Sequence, residues 1–406
     1  MKMPPAEWTE RRGLAALIAA LDGKACFVGG AVRDTLLGLD VKDVDIATPL
    51  LPEDVMERLT AVSIKVVPTG IAHGTITAVL PDGPVEITTL RRDVSTDGRR
   101  ATVAFSDDWK EDAARRDFTI NALFADPHTL EVFDYFGGLE DLKKLRIRFI
   151  GSAALRIAED HLRIMRYFRF LARFGQQQVE NEAFDACTAA AAKLETLSRE
   201  RVADELLKLL ATADPRFAVS QMLDAGIFGH IIEEIDKNAD DIFSQLVERE
   251  QRLQVEPRAI RRLVALLPKE ADKASHIAKS LKLSKKQQKA IGERLFTGIG
   301  GNTEDQEAIL TDIRAFAYRT SIDTARDAAL LFADDSALPA ILAQLQSWQP
   351  PVFPLTGGYL IEQGLKPGPI VARTLTKIEA AWIAQGFPDE QWVRKFIDEQ
   401  DLTLLT

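Results

Sequence analysis

Cysteine is scarce in this 406-residue chain, which carries only Cys26 and Cys187. Two distant cysteines exclude a disulfide framework and a cysteine-based zinc site, and they suit a reducing compartment such as the cytoplasm. Long apolar runs are also missing, since no stretch approaches the roughly 18 residues that a membrane span needs. The amino terminus MKMPPAEWTERRG lacks the apolar core of a signal peptide. We therefore expect an unprocessed cytoplasmic protein with no membrane partner and no obligate protein partner.

Positive net charge is lacking too, because the formal net charge is -10 and the sequence pI is about 5.2. A nucleic-acid partner would have to bind a local basic face, since the field of the whole molecule opposes it. Hydrophobic residues make up 46% of the chain, which is enough for packed cores. The length allows about two to four domains.

Strand signals concentrate in residues 25–135, and helical periodicity dominates beyond residue 140. The first region contains short runs rich in Val, Ile, Thr and Phe, namely ACFVGG, VDIAT, IKVVP, GTITAVL, PVEITTL and EVFDYF. In the second region Leu and Ala recur three and four residues apart, with breaks at 297–305 and 347–358. These patterns predict an α+β protein with a mixed-sheet head followed by helical domains.

Two glycines follow the first predicted strand and precede the helical segment AVRDTLLG. At such a turn Gly29 and Gly30 let a ligand approach the backbone, and Arg33 one turn later is available to a phosphate. A pair of glycines at a turn is more often structural. The pattern by itself leaves both interpretations open.

Two aspartates stand on one side of the next predicted strand. Asp43 and Asp45 are two residues apart, so their side chains point to the same face. Glu86 lies in a later strand between residues that we expect to be buried. An isolated pair of strand-end acids can simply face solvent, but three carboxylates converging from two strands suit two Mg²⁺ ions that leave coordination positions for phosphates.

The segment ARRDFTINA combines cations with hydrogen-bonding side chains. Arg116 could bind a phosphate, and Asp117 with Asn121 could bind a ribose. The alternative is surface charge in front of an apolar run that we expect to be helical.

Residues 160–173 predict one helix with an apolar face and an arginine face. The apolar face comprises Ile164, Met165, Phe168, Leu171 and Ala172, and the opposite face comprises Arg163, Arg166, Arg169 and Arg173. Such a pattern usually means an amphipathic helix with a solvated basic side. However, residues 143–173 contain nine basic residues and only two acids, and in an acidic chain this segregation favours a polyanion site.

Asp160 and Arg163 are neighbours at this helical spacing, so they could pair with each other or face a base together. Cytosine and adenine both offer an amino donor beside a ring-nitrogen acceptor. An acceptor and a forked donor would therefore bind C and A, and a G or U would leave groups unpaired at about 1–3 kcal/mol each.

Taken in order, these motifs resemble the class II tRNA nucleotidyltransferases, a family of CCA-adding enzymes and bacterial poly(A) polymerases. The resemblance rests on GGAVRDTLLG with DVD, EITTLRRD with STDGRR, RRDFTINALF, DYFGGLEDL, EDHLRIMRYFRFLARFG and LSRERVADELLKLL. It implies a seahorse-shaped molecule with a DNA polymerase beta-like head, a neck that reads the incoming base, and a helical body and tail that bind tRNA. The corresponding domains are 1–141, 142–212, 213–346 and 347–406.

The same resemblance implies roles for individual residues. Asp43 and Asp45 are the implied metal ligands, and Glu86 is the third catalytic acid. The implied nucleotide-binding residues are Gly30, Arg33, Arg116, Asp117, Asp160, Arg163, Arg166 and Arg169. Asp97, Gly98 and Arg99 match a flexible loop that accompanies the change from C to A addition in this family.

The implied reaction adds C, C and A to the tRNA 3′ end without a template. The RNA 3′-hydroxyl attacks the α-phosphate of CTP or ATP and pyrophosphate leaves, assisted by two Mg²⁺ ions. The alternatives are a poly(A) polymerase, an enzyme that adds A alone, a small-molecule nucleotidyltransferase and a non-catalytic RNA-binding protein. No His-Asp dyad occurs in the sequence, so we expect no phosphohydrolase domain.

Overall fold

The computed structural model describes residues 1–97, 100–175, 178–235, 237–295 and 310–399. The chain forms two compact units, Met1–Asp240 and Asp241–Thr406. The first unit holds the strands and the second is helical in its described part. This is the α+β class that the sequence predicts.

The strands of the first unit form a mixed sheet and a separate hairpin. The strands are β1 Cys26–Val28, β2 Val44–Thr48, β3 Lys65–Gly70, β4 Thr75–Leu80, β5 Gly83–Thr89, β6 Arg91–Asp97, β7 Arg100–Phe105, β8 Leu123–Ala125 and β9 Val132–Asp134. The sheet order is β3-β4-β5-β2-β1-β8-β9, and β6 pairs with β7 alone. Among these pairings β2 with β5 is parallel and the others are antiparallel.

All six predicted strand segments contain a strand, namely β1 to β5 and β9. Three further strands were not predicted. The helical interpretation of the run after ARRD is wrong, because Thr119–Asn121 is a short 3-10 turn and Leu123–Ala125 is β8. A short apolar run cannot be assigned by periodicity alone, and here pairing with β1 decides its conformation.

Ten α-helices of the described first unit accompany the sheet. They are α1 Leu14–Ala20, α2 Gly30–Leu36, α3 Pro52–Ala61, α4 Trp109–Ala114, α5 Gly138–Lys143, α6 Ala153–Glu159, α7 Arg163–Phe174, α8 Asn181–Ala189, α9 Arg199–Leu210 and α10 Arg216–Asp224. In the hydrophobic core beneath α4, Ala113 belongs to one cluster with Cys26, Phe124 and Ile150. This packing fixes the end of α4 against the centre of the sheet.

The second unit consists of helices in its described residues. They are α11 Ala239–Arg252, which starts at the boundary, α12 Ala259–Leu266, α13 Ala271–Ser280, α14 Lys285–Arg294, α15 Ile313–Arg319, α16 Ile322–Phe332, α17 Leu338–Gln346, α18 Gly357–Glu362, α19 Pro369–Ala384 and α20 Glu390–Glu399. Its carboxyl-terminal core surrounds Trp382, which is 1% exposed. No described helix is long and apolar enough to cross a membrane.

Helix α7 has the apolar face that its sequence predicts. Ile164, Met165, Phe168 and Leu171 are all buried, and each contributes about 1.5–3 kcal/mol by leaving water. The helix ends at Phe174 and is followed by Gly175, where a Cβ would come within 2.6 Å of a Leu171 methyl carbon.

The prediction of one continuous helix through Asp160 is wrong. Helix α6 ends at Glu159, Asp160 is extended with φ -150° and ψ 106°, and α7 starts at Arg163. The Asp160 side chain accepts the Leu162 backbone N–H at 3.1 Å. This local bond satisfies a backbone donor without a helical turn, which is how aspartate commonly interrupts helices.

Candidate active site

Two parallel strands bring acidic side chains to one face of the sheet. Asp45 on β2 is in register with Glu86 on β5, and Asp43 immediately precedes β2. Residues in register on neighbouring strands share a face of the sheet, so Asp45 and Glu86 point the same way. Asp43 lies outside the strand, but its charge acts on Asp45. Asp45 is half-buried, whereas Asp43 and Glu86 are exposed.

The surroundings of Asp45 disfavour its negative charge. Burial and the charge of Glu86 raise the pKa of Asp45 to about 6, with a smaller contribution from Asp43 and an opposing one from Arg116. A nearby cation would stabilise a carboxylate in this position. Among the described residues, no group of three or more His, Cys, Asp or Glu side chains is arranged to hold a metal ion.

A cavity of about 460 Å³ opens beside Asp45. Seven of the predicted nucleotide-binding residues line it: Gly30, Arg33, Arg116, Asp117, Asp160, Arg163 and Arg166. Its lining contains six arginines against three aspartates, in a chain whose net charge is -10. The cavity has the size of a small-molecule site and a charge that favours a polyanion.

Arg33 is a buried cation in this lining, with 4% of its surface exposed. It donates from Nε to Asp34 Oδ1 at 2.8 Å and from Nη1 to Asn121 Oδ1 at 2.5 Å. Its guanidinium also lies 4.7 Å from the centre of the Phe174 ring. Burial lowers the pKa of Arg33, and the Asp34 charge partly offsets this. The contacts hold the guanidinium in one orientation.

Asp117 connects the sheet domain to α7. Its Oδ1 accepts from Asn121 Nδ2 and from the Phe118 backbone N–H, both at 2.9 Å, and its Oδ2 accepts from Arg166 Nε at 2.7 Å. Burial alone would raise the pKa of Asp117, but the Arg166 charge and these hydrogen bonds hold it below its usual range. Asp117 is therefore an ionised, fixed side chain beside the cavity.

Asp160 and Arg163 line the same cavity but do not pair with each other. Asp160 Oδ2 accepts from Arg201 Nη2 at 2.8 Å. Arg163 instead donates to the Glu159 carboxylate. An acceptor and a donor therefore face one space, and each is oriented by its own partner.

Some predicted residues lie elsewhere. The lining of the cavity does not include Asp43, Glu86 or Arg169. Arg169 donates from Nε to Glu205 at 2.6 Å and borders a separate cavity. Asp97 ends β6, and the remaining two loop residues, 98 and 99, lie outside the described residues.

Two arginines of the lining were assigned no role from the sequence. Arg115 is the first arginine of ARRD, and Arg201 lies in SRERVADELL on α9. Arg201 is 41 residues from Asp160 along the chain, so no local spacing could connect the two. For Arg115, the doubled arginine is a signal that could have been used.

The acid-bearing parallel strands and the adjoining arginine-lined cavity define the class of protein, a nucleotidyltransferase. Residues 25–148 match the family described as "Poly A polymerase head domain", and residues 178–238 match "Probable RNA and SrmB- binding site of polymerase A".

Individual relatives cover nearly the whole chain. The protein named "CCA tRNA nucleotidyltransferase 1, mitochondrial" of Mus musculus is 33% identical over 94% of this chain and 87% of its own length. A CCA-adding enzyme of Streptococcus pneumoniae is 33% identical over 93% of each chain. The solved structure of the Bacillus stearothermophilus CCA-adding enzyme in complex with CTP is 27% identical, covers 94% of this chain and 95% of its own, and has a TM-score of 0.73. This chain belongs to the class II tRNA nucleotidyltransferase and poly(A) polymerase family.

Proposed function

We propose that this protein completes tRNA 3′ ends by adding C, C and A from CTP and ATP without a nucleic-acid template. The observation that carries the proposal is the cavity of about 460 Å³. It is lined by a cluster of arginines and by Asp45, and both Asp160 and Arg163 face it. A nucleoside triphosphate has the matching parts: a polyanionic tail, a reacting phosphate and a base edge. Relatives named as CCA-adding enzymes support the same substrates.

Asp43 and Asp45 are the proposed ligands of two Mg²⁺ ions, with Glu86 as the third acid. The donor set fits, since carboxylate oxygens suit Mg²⁺ and the raised pKa of Asp45 marks an uncompensated cluster of negative charge. When bound, the ions would neutralise charge on the attacking and leaving oxygens. Glu86 contributes charge to the cluster from the neighbouring strand.

The remaining residues bind and orient the nucleotide. We assign Arg33, Arg116 and Arg166 to the triphosphate, Asp117 to the ribose, and Gly30 to close approach of the backbone. The RNA 3′-hydroxyl attacks the α-phosphate, a new phosphodiester bond forms, and the bond to pyrophosphate breaks. Fixed cations beside the leaving group stabilise its developing charge without reorganising.

Asp160 and Arg163 are the proposed base-selecting pair. A base that offers an amino donor and a ring-nitrogen acceptor can bond to both side chains, whereas G and U present the reverse pattern. Arg201 already donates to one Asp160 oxygen. A carboxylate has about four acceptor positions, so room remains for the amino group of C or A.

In this proposal the rest of the chain binds tRNA. We retain a catalytic head at 1–141, a neck at 142–212, a body at 213–346 and a tail at 347–406, with tRNA as the partner. A cytoplasmic location fits the two cysteines, which are both free and buried.

A tRNA extension assay tests the proposal. Purified protein is given a tRNA that ends before CCA, together with CTP and ATP. Three additions followed by a stop are expected. A long A tail would instead make the protein a poly(A) polymerase, and extension only of a tRNA that already ends in CC would make it an A-adding enzyme.

A further inference from the structure

Asp112 is a buried acid that the proposed mechanism does not use. It lies on α4, and its side chain is 1% exposed. Its Oδ1 accepts from Arg115 Nε at 2.8 Å, and its Oδ2 accepts from Arg116 Nη2 at 2.9 Å and Nε at 3.2 Å. One carboxylate therefore holds two guanidinium groups that both line the nucleotide cavity.

Arg116 is constrained on its other sides as well. Its guanidinium lies 5.3 Å from the centre of the Phe124 ring. Its Nη1 lies 3.3 Å from the point that a Cβ on Gly29 would occupy. Gly29 has φ +67°, a conformation that also favours glycine. With Nε and Nη2 bound to Asp112, Nη1 is the nitrogen directed toward the glycine turn.

The backbone carbonyls of residues 114 and 115 accept hydrogen bonds from two arginines, one of which, Arg163, is the proposed donor to the base. The Ala114 carbonyl accepts from Arg156 Nη2 at 2.6 Å, and the Arg115 carbonyl accepts from Arg163 Nη2 at 3.4 Å. Within residues 112–116 the Asp112 side chain therefore holds Arg115 and Arg116, and the Arg115 carbonyl accepts from Arg163 at the base end.

We propose that Asp112 is a positioning residue, which fixes the guanidinium groups of Arg115 and Arg116 in the orientation that meets the triphosphate. This inference rests on the proposed function, which assigns Arg116 to the triphosphate, and it adds Arg115 to that assignment. Two long side chains bound to one buried acid lose their rotational freedom on folding, before the ligand arrives, and binding then costs less entropy.

A simpler role would be charge balance, and the two roles predict opposite results. Asp112→Asn keeps the shape of the side chain and makes the cavity more positive by one charge. Charge balance alone predicts tighter binding of CTP and ATP in the variant. A positioning role predicts that kcat/KM for the nucleotide falls, on the order of 10- to 100-fold.

A double-mutant cycle separates positioning from general damage to the fold. We expect Asp112→Asn and Arg116→Ala each to reduce kcat/KM for CTP, and the double variant to lose less than the product of the two reductions, because only the contribution through Arg115 adds to the loss of Arg116. Such non-additivity is the sign of residues that act together. Fully additive losses, or a lower KM for CTP in Asp112→Asn, would overturn the inference.

Asp327→Asn is the matched control. Asp327 is also a buried aspartate that accepts hydrogen bonds from two arginines, Arg261 and Arg294, but it lies in the second unit and outside the cavity lining. We expect this variant to lower the melting temperature while the KM for CTP stays within about twofold of the parent value. A parent protein that extends no tRNA would refute the proposed function itself, whereas an active parent with an unaffected Asp112→Asn variant refutes only this inference.

Discussion

Arginines paired with acids form a cluster in each unit, and the two clusters differ in how exposed they are to solvent. In the second unit, Glu250 and Asp327 bind Arg261 between them, and all three side chains are 1% exposed. Arg262 and Arg294 complete this cluster. In the first unit, six arginines share a cavity with three aspartates, and Arg166 keeps a third of its side chain exposed.

The cluster of the second unit stabilises the fold, whereas the arginines of the cavity are accessible to a ligand. A buried arginine needs an acid beside it, since an unpaired buried charge costs several kcal/mol. The second-unit cluster meets this need with its own acids and is closed to solvent. The arginines of the cavity also have acidic partners, but they border an open space in which a polyanion can reach them.

Removing the charge of Asp45 gives the largest expected effect. Asp45→Asn takes away a proposed metal ligand, and we expect nucleotide addition to tRNA to fall on the order of 1,000-fold or more. Single-turnover extension assays measure this. An active variant would contradict the assignment of Asp45 to the catalytic centre.

Breaking the closed cluster is the converse test. Glu250→Gln leaves Arg261 and Arg262 without their shared charge, so we expect a loss of about 3 kcal/mol in the free energy of unfolding. Denaturant titration measures the loss, and the KM for CTP at a permissive temperature serves as the control. Unchanged stability would show that this cluster does not hold the fold.

Base selection offers a smaller effect that is confined to the cavity. Arg163→Ala removes the proposed donor to the base, and we expect discrimination between CTP and UTP to fall about tenfold. Competition assays with both nucleotides measure the ratio. Arg169→Ala, on the same helix but outside the cavity lining, should change this ratio much less. Equal effects of the two changes would contradict the selecting role of Arg163.

The smallest effect concerns stability and pH in the absence of metal. The pKa of Asp45 is raised from 3.8 to about 6, so the folded protein binds this proton more tightly than the unfolded chain does. Above pH 6 the carboxylate is ionised in both states, and its charge destabilises the folded state. With chelator present, Asp45→Asn should therefore be more stable than the parent above pH 6, by about 1 kcal/mol after solvent screening. The gain should vanish as the pH falls to 3.8. A gain that is equally large at pH 4 and pH 8 would contradict this account.

Part of the site was predictable from the sequence because it depends on short periods. Asp45 was predicted to lie on a strand, which β2 confirms, and the 3.6-residue period of α7 separated its arginines from buried residues such as Met165 and Phe168. The glycine turn before α2 was likewise predicted from adjacent residues.

Other parts depend on specific pairings that no sequence period reveals, and these were missed. Strand β8 forms because it pairs with β1, although its sequence suggests a helix. The break at Asp160 depends on one side-chain hydrogen bond to the backbone. Arg201 joins the site only through tertiary packing of α9 against α7.

The sequence by itself determined that acids and arginines are segregated onto defined faces, because strand and helix periods follow from backbone geometry. Only the tertiary structure decided which arginines meet acids that are distant along the chain. Arg173 binds Asp34 across 139 residues, and Arg166 binds Asp117 across 49. An arginine side chain has many rotamers of similar energy, so its partner is set by whichever carboxylate the packed fold brings within reach.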